Sequence, residues 1–281
     1  MWIRFPRSAL EDGMADGDRN FGVCLGKRLR ASPLFTPLGV KPNWEDYSPE
    51  EQDAIRAAWV VHYPSPLYED VFASLGKKVF PRGVNGFIGN KIRQTNLFQL
   101  LGVSHPRTRL YYGRDRMRRI LDDFDYPFIA KTPVGSSMGR GVRLIGCAGE
   151  LRSYLDGRQP AYIQERLPVD RDMRVVVISG EVVHAYWRIG RPGDFRNNVT
   201  QGASISYDDI PEEALAFAAR VARRCRFDEV GLDICVVDGR CYVIEANMAY
   251  GLEGFHLAGM DIYAVIARRA ESNAARAAPL R

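Results

Sequence analysis

Apolar and polar positions recur with two different periods along the chain, and each period predicts one kind of element. Helical spacing appears in six segments: SPEEQDAIR, PLYEDVFASLG, NKIRQTNLFQLLG, ELRSYLDG, PEEALAFAARVARRCR and DIYAVIARRAES. Ser48 and Pro49 suit the N-cap and the first position of the first helix, and Gly102 suits the end of the third. Short strands are predicted in AAWVVHY, YPFIAKTP, GVRLIG and AYIQERL.

Two longer segments predict antiparallel hairpins. DMRVVVISGEVVHAYWRI turns at Ser179-Gly180, and VGLDICVVDGRCYVIEAN turns at Asp238-Gly239. Helices mixed with hairpins favour α+β subdomains over a purely parallel sheet.

The second hairpin has polar residues, Asp233, Glu245 and Asn247, within runs that otherwise build a core. A two-residue turn would put the two carboxylates on opposite faces of the ribbon. A three-residue turn over 238–240, with Gly239 left-handed, places Asp233 opposite Glu245. It also gathers six apolar residues on the other face: Leu232, Ile234, Val236, Tyr242, Ile244 and Ala246. The apolar pattern therefore favours the three-residue turn.

Three oxygen-bearing side chains on one patch indicate a site for a hard divalent cation such as magnesium, shared with phosphates. A pair of carboxylates satisfied by nearby arginines explains the same residues. The hairpin alone leaves both interpretations open.

Two loops have the residue types that meet anions. KTPVGSSMGRG places Lys131 on a strand before a glycine–serine loop, whose N–H groups can surround phosphate oxygens. RPGDFRNNVTQGA carries Arg196 and Asn198, which suit an anionic group. Plain connecting loops have similar composition.

Polar residues also lie at the ends of neighbouring strands. Gln164 and Glu165 end one strand, and Asp172 and Arg174 lie on the next. Such residues line nucleotide pockets, although linkers look alike.

The composition is that of a globular protein, with 46% hydrophobic and 26% charged residues among 281. No apolar run spans a bilayer, and the start, MWIRFPRSALEDG, lacks the apolar region of a secretory signal. The five cysteines are scattered, which predicts a reducing cytoplasm rather than a disulfide framework.

The net charge of +5 suits an anionic ligand such as a nucleotide. The basic residues are interleaved with acids, and no platform of aromatic and basic residues stands out. Nucleic acid is therefore disfavoured as a partner.

In their order along the chain, four segments resemble the ATP-grasp superfamily, and within it the RimK-like branch of amino-acid ligases. They are NKIRQTNLFQLLGVSHPRTRL, PFIAKTPVGSSMGRGVRLI, YIQERLPVDRDMRVVVISGEVVHAYWRIGRPGDFRNNVTQGA and VGLDICVVDGRCYVIEANMAYGLEGF. The resemblance implies an α+β ATP-grasp fold, in which two α+β subdomains clasp ATP, with a short, atypical N-terminal α/β domain. It implies the domain limits 1–87, 88–163 (the lid subdomain) and 164–281 (the subdomain with the magnesium site).

The resemblance also implies a role for each matching residue. Those implied to bind ATP are Lys91, Lys131, Ser136, Ser137, Gly139, Gly141, Gln164, Glu165 and Asp172. The lysines would grip the phosphates, the glycine–serine loop would cover them, and Gln164 with Glu165 would read adenine, with Asp172 near the ribose.

Further residues are implied to act in catalysis and in metal binding. Arg196 and Asn198 would contact the γ-phosphate and the acyl intermediate, and Arg174 would lend charge nearby. Asp233, Glu245 and Asn247 would hold magnesium or manganese, as a pair of ions.

The implied activity is an ATP- and magnesium-dependent ligation of a carboxylate to an amine through an acylphosphate. An amino acid such as glutamate would be joined to a small amine, a peptide or a protein end, and a homo-oligomer is compatible with the sequence. The alternatives are a small-molecule kinase and a regulatory protein that binds ATP without ligation.

Overall fold

The computed structural model describes residues 22–30, 32–135, 141–157, 160–190 and 204–277. The chain divides into two compact units, one formed by residues up to 85 together with those from 260 onward, and one formed by 86–259. The mixture of helices with parallel and antiparallel strands confirms the predicted α+β class.

The first unit contains a small parallel sheet. Its elements are β1 (Val23–Cys24), β2 (Thr36–Pro37), α1 (Pro49–Ala57), β3 (Val60–His62), α2 (Glu69–Ser74), β4 (Lys78–Phe80) and α9 (Ile262–Ala277). The strands lie in the order β2-β1-β3-β4, and every pairing is parallel. The unit also includes α9, which the predicted limits assign to 164–281, and those limits stay a prediction.

The start of α1 follows directly from its sequence. The Ser48 hydroxyl accepts from the Glu51 backbone N–H, and the Glu51 carboxylate accepts from the Ser48 N–H, with Pro49 at the first helical position. Ile55 is buried from this helix and packs with Val61 in the core of the unit.

The second unit contains two antiparallel sheets. The elements of the four-stranded part are β5 (Thr108–Tyr111), α5 (Arg116–Asp123), β6 (Phe128–Lys131), β7 (Val142–Ile145), α6 (Ala148–Leu155) and β8 (Ala161–Glu165). The order is β5-β8-β6-β7, and α5 and α6 supply Ile120 and Leu151 to its core.

The five-stranded sheet has the order β11-β10-β9-β12-β13. Its strands are β9 (Arg171–Ile178), β10 (Glu181–Ile189), β11 (Ser204–Ser206), β12 (Glu229–Val237) and β13 (Arg240–Asn247). The remaining helices are α3 (Val84–Phe87), α4 (Lys91–Leu101), α7 (Glu212–Cys225) and α8 (Glu253–Leu257). As predicted, α4 ends at Gly102, which is left-handed with φ 59°. None of the helices in the described ranges has the length and apolarity needed to cross a membrane.

The predicted three-residue turn of the second hairpin is wrong. Val237 pairs with Arg240, so the turn holds only Asp238 and Gly239, with φ of 48° and 74°. Positive φ at both central residues is the geometry of the favoured two-residue hairpin. The positive φ predicted for Gly239 is confirmed.

The predicted pairing of Asp233 with Glu245 is nevertheless present, for a reason that the pattern did not reveal. The register shifts between Asp233, which pairs with Glu245, and Ile234, which pairs with Val243. Ile244 is therefore the extra residue of a β-bulge.

The bulge also corrects the predicted core face. Because directly opposed residues share a face, Val243 and Cys241 lie on the side of Leu232, while Tyr242 lies on the side of Asp233. Tyr242 and Ile244 were expected on the core side; Val243 is the fully buried residue there.

Candidate active site

A row of polar side chains crosses the five-stranded sheet. Arg174 on β9 faces Asp233 on β12, and Asp233 faces Glu245 on β13. Side chains that are directly opposed across antiparallel strands project from the same face. The sheet register therefore gathers these three side chains without the help of a loop.

Two arginines bind Asp233. Arg174 donates from Nε to Oδ1 at 2.5 Å and from Nη2 to Oδ2 at 3.2 Å, and Arg188 Nη2 lies 2.9 Å from Oδ2. Arg188 also donates from Nε to Asp172 Oδ1 at 2.6 Å. All four side chains are at most 9% exposed, so two carboxylates and two guanidinium groups neutralise one another out of water.

The pKa values of the two carboxyl groups are shifted in opposite directions. Desolvation raises the pKa of Asp172 above its usual value, because it outweighs the attraction of Arg188. Desolvation acts on Asp233 as well, but there the Arg174 and Arg188 guanidinium groups prevail and hold the pKa below its usual value. Asp233 is thus the more strongly ionised of the pair.

Two buried lysines, Lys91 and Lys131, interact with the carboxylate of Glu245. Lys91 is the first residue of α4, and its Nζ lies 3.1 Å from Glu245 Oε1. Lys131 ends β6, and desolvation lowers its pKa to about 8, with Glu245 opposing the shift and Lys91 adding to it. A negatively charged ligand would relieve the cost of burying this ammonium group.

The loop that follows Lys131 is anchored on both sides. Before it, the Lys91 N–H donates to Pro133 O at 2.9 Å, which ties the loop to the start of α4. After it, Gly141 O accepts from the Thr132 N–H at 2.7 Å, and Gly141 has φ 83°. Ser136, Ser137 and Gly139 lie outside the described residues, so their role as a lid stays a prediction.

Gln164 and Glu165 lie at the end of β8, as predicted, and their side chains have protein partners. Gln164 donates from Nε2 to Thr108 Oγ1 at 2.9 Å, and Glu165 Oε1 accepts from the Arg107 N–H at 2.6 Å. These contacts hold the strand end in place, and any contact with adenine would be made by other atoms of this segment. Their adenine-binding role stays a prediction.

Arg196 and Asn198 also lie outside the described residues, and their catalytic role stays a prediction. Arg174 and Asp172 are described, and both belong to the buried charge cluster.

The residues predicted to bind metal have donor types that fit a hard divalent cation. Asp233 and Glu245 face each other, and Asn247 faces Gly231 one pair further along the same side of the ribbon. The Asn247 amide oxygen accepts from the Ala249 N–H at 3.1 Å. Carboxylate and amide oxygens are the ligands that magnesium prefers. Among the described His, Cys, Asp and Glu residues no group of three is arranged to enclose a metal, so further ligands would come from phosphates or water.

Three residues of this region were not among the predicted site residues. Arg188 is a charged residue inside a buried strand. A charge among apolar neighbours could have indicated a buried ion pair. Gln94 lies one turn after Lys91 on the buried side of α4, and its amide bonds the backbone of Ala246. A Cβ at Gly231 would come within 2.9 Å of Tyr250 Cβ and 3.0 Å of Arg174 Cδ, so glycine is needed there.

Comparison with known proteins places this geometry in a class. Residues 88–269 match the model of the RimK-like ATP-grasp domain. The structure superposes on the crystal structure of a RimK domain ATP-grasp protein from Sphaerobacter thermophilus with a TM-score of 0.58 at 18% identity, covering 75% of this chain and 81% of that one. The fold is therefore an ATP-grasp fold.

The protein belongs to the RimK-like ATP-grasp family. It is 30% identical over 195 residues to ribosomal protein bS6–L-glutamate ligase of Escherichia fergusonii, covering 66% of this chain and 64% of that protein. It is 29% identical over 182 residues to coenzyme γ-F420-2:α-L-glutamate ligase of Methanococcus maripaludis, covering 62% and 63% respectively. The chain thus spans somewhat less than two thirds of each of these relatives.

Proposed function

We propose that the protein is an ATP- and magnesium-dependent ligase that joins a carboxylate to an amine through an acylphosphate. The observation that carries this proposal is the cluster of buried lysines, arginines and carboxylates on one face of an ATP-grasp sheet. Burying so many charged groups costs free energy. A polyanionic ligand with bound cations would offset this cost, because its phosphates pair with the lysines and arginines and its cations pair with the carboxylates.

Within this proposal, Lys91 and Lys131 bind the ATP phosphates, and the loop from Gly135 to Gly141 is the lid over them. The end of β8 at Gln164 and Glu165 receives adenine, with Asp172 near the ribose. The lid subdomain is 88–163, and the subdomain 164–281 carries the metal ligands.

The chemistry explains why cationic side chains are needed. A carboxylate is a poor electrophile, and transfer of the γ-phosphate converts it into an acylphosphate, which an amine can attack with loss of phosphate. Phosphoryl transfer depends on positioning and charge neutralisation, which Arg174 and Arg196 supply together with Asn198. A closed loop protects the acylphosphate from hydrolysis.

Asp233, Glu245 and Asn247 would hold the divalent cations. A bound magnesium ion neutralises phosphate charge and orients the oxygens that react. Arg174 lies next to Asp233 and Lys91 next to Glu245, and these cations compensate the charge of the two carboxylates.

We propose glutamate as one of the two substrates. Both curated relatives carry glutamate in their names, with ribosomal protein bS6 as the partner in one and coenzyme γ-F420-2 in the other. The net charge of +5 is suited to an anionic amino acid and an anionic acceptor.

Thermal unfolding with ATP, with and without magnesium, tests the binding half of the proposal. A ligand at a hundredfold excess over its Kd stabilises the folded state by about 2.7 kcal/mol. We expect a magnesium-dependent rise in Tm, followed by ADP release and a new amide when glutamate and an amine or peptide acceptor are supplied. ADP release without an amide would indicate a kinase, binding without ADP release would indicate a regulatory protein, and no rise in Tm would refute the proposal.

A further inference from the structure

One glutamine side chain forms hydrogen bonds with the outer edge of β13 at Ala246. Among the described residues β13 is the last strand of its sheet, so half of its backbone groups have no strand partner there. Gln94 donates from Nε2 to Ala246 O at 2.7 Å, and its Oε1 accepts from the Ala246 N–H at 3.1 Å. A single amide thus pairs both backbone groups of Ala246, as a neighbouring strand would.

A second contact anchors the same edge three residues earlier. The Val243 N–H donates to Ser104 O at 2.9 Å. In a regular antiparallel strand, backbone groups point to the same side at every second residue. Val243 and Ala246 are an odd number of residues apart, so both can point outward only if an extra residue lies between them. The bulge at Ile244 supplies that residue.

The bulge decides which side chain faces Asp233. With the two-residue turn and a regular ladder, Ile244 would lie opposite Asp233 and Glu245 would project from the other face. With the bulge, Glu245 faces Asp233 and Asn247 projects from the same side.

We propose that Gln94 is a positioning residue, which locks β13 in the bulged register and thereby presents Glu245 and Asn247 to the metal. The two proposed ligands flank Ala246, the residue that Gln94 binds. The hydrogen bonds of Gln94 go to the backbone of Ala246, so it acts on both ligands through the backbone. This inference rests on the proposed function.

The Gln94 amide is itself held rigidly. It is 3% exposed, and its Nε2 also donates to Phe87 O at 3.1 Å. Its position one turn after Lys91 means that the same face of α4 contacts both the backbone of Ala246 and the carboxylate of Glu245.

The test compares Gln94→Met with Gln99→Met. Methionine keeps the length of the side chain and removes its hydrogen bonds. Gln99 lies on the same helix, is exposed and donates to Thr108 O at 3.1 Å, so it is a control for replacing a hydrogen-bonded glutamine of α4 that does not bind β13. Two quantities are measured in the full chain: amide hydrogen exchange over 243–247 without ligand, and the Mn²⁺ concentration that half-saturates ADP binding.

We expect faster exchange over 243–247 in Gln94→Met and a Mn²⁺ requirement raised about 10- to 100-fold, the range typical of residues that support metal ligands. Gln99→Met should match the wild type in both. A variant that is merely less stable would unfold at a lower temperature without a changed Mn²⁺ requirement while folded, and that result would overturn the positioning role.

The design separates this inference from the proposed function. If the wild type binds ADP without any dependence on Mn²⁺, the proposed function fails, and hydrogen exchange alone decides whether Gln94 locks the register. Unchanged exchange over 243–247 in Gln94→Met would then overturn the lock as well.

Discussion

The two hairpins of the five-stranded sheet, β9–β10 and β12–β13, are built alike and carry charges differently. Each has a two-residue turn with positive φ at both positions, 53° and 80° at Ser179-Gly180 and 48° and 74° at Asp238-Gly239. Each also contains one bulge, between Val182 and His184 in the first and at Ile244 in the second.

Each bulge places a charged pair face to face, but the pairs have opposite character. In the first hairpin the bulge brings Asp172 opposite Arg188, which attract each other. In the second it brings Asp233 opposite Glu245, which repel each other. The opposed charges of the first hairpin therefore neutralise each other. The two carboxylates of the second hairpin need cations from other elements to compensate their charge. This dependence is typical of a binding site.

The largest expected effect on stability comes from removing Arg188, which contacts a carboxylate in each hairpin, Asp172 in the first and Asp233 in the second. Arg188→Met leaves Asp172 and Asp233 buried with one guanidinium group fewer, so we expect a loss of about 3–5 kcal/mol in the free energy of unfolding. Urea unfolding measures it. Arg171→Met is the control, because Arg171 is exposed beside the Trp187 ring and should cost at most about 1 kcal/mol. Equal losses in the two variants would contradict the cluster's role.

Removing one of the repelling carboxylates should separate function from stability. Glu245→Gln keeps the size of the side chain and a hydrogen-bond acceptor for Lys91. Because relief of the repulsion with Asp233 offsets part of the lost ion pair with the buried Lys91, we expect the free energy of unfolding without ligand to fall by less than the loss of about 3–5 kcal/mol expected for Arg188→Met. Magnesium-dependent ADP release should fall by about 100-fold or more, since a ligand should matter at least as much as its supporting residues. Glu213→Gln, on the exposed side of α7, is the control. Near-normal turnover would rule out Glu245 as a ligand.

The turns themselves should matter equally in the two hairpins. Alanine at Gly180 or Gly239 would adopt a left-handed conformation, which costs about 1–2 kcal/mol, and a Cβ at Gly239 meets no atom within 4 Å. We expect both variants to lose stability by this amount and to keep the wild-type Mn²⁺ requirement. A shifted requirement in Gly239→Ala would show that the turn, rather than the bulge, positions Glu245.

The smallest expected effect is the pH dependence of stability that comes from burying the Lys131 ammonium group near the second hairpin. The pKa of Lys131 is lowered from 10.5 to about 8, so between these pH values the unfolded chain binds more protons than the folded one. The Lys131 contribution to stability should therefore rise with pH across this window, by at most about 1.4 kcal/mol per pH unit. Urea unfolding of the wild type and Lys131→Met at pH 8.5 and 9.5 checks the sign. The stability difference should move in favour of the wild type, and the opposite movement would contradict a buried, destabilised ammonium group.

Local chemistry made much of the fold predictable. Ser48 and Pro49 mark the start of α1, Gly102 ends α4, and Ser179-Gly180 turns the first hairpin, as the structure confirms. The order of the four segments that resemble the RimK-like branch predicted the family, which the family model confirms. The catalytic and ligand-binding roles, including those of Arg196 and Asn198, stay predictions.

The sequence by itself determined the turn residues and the polar side chains of the second hairpin, because propensities for positive φ and the cost of burying charge act over a few residues. It did not determine the register. A two-residue turn and a three-residue turn were both compatible with Asp238-Gly239, and the pattern of apolar residues led to the wrong choice between them.

Only the tertiary structure decided how a two-residue turn can coexist with the pairing of Asp233 and Glu245. Gln94 and Ser104 lie far from β13 along the chain, and their hydrogen bonds to Ala246 and Val243 fit a strand with one extra residue. No periodicity within residues 230–247 contains that information, because the groups that satisfy the edge of β13 belong to another part of the chain.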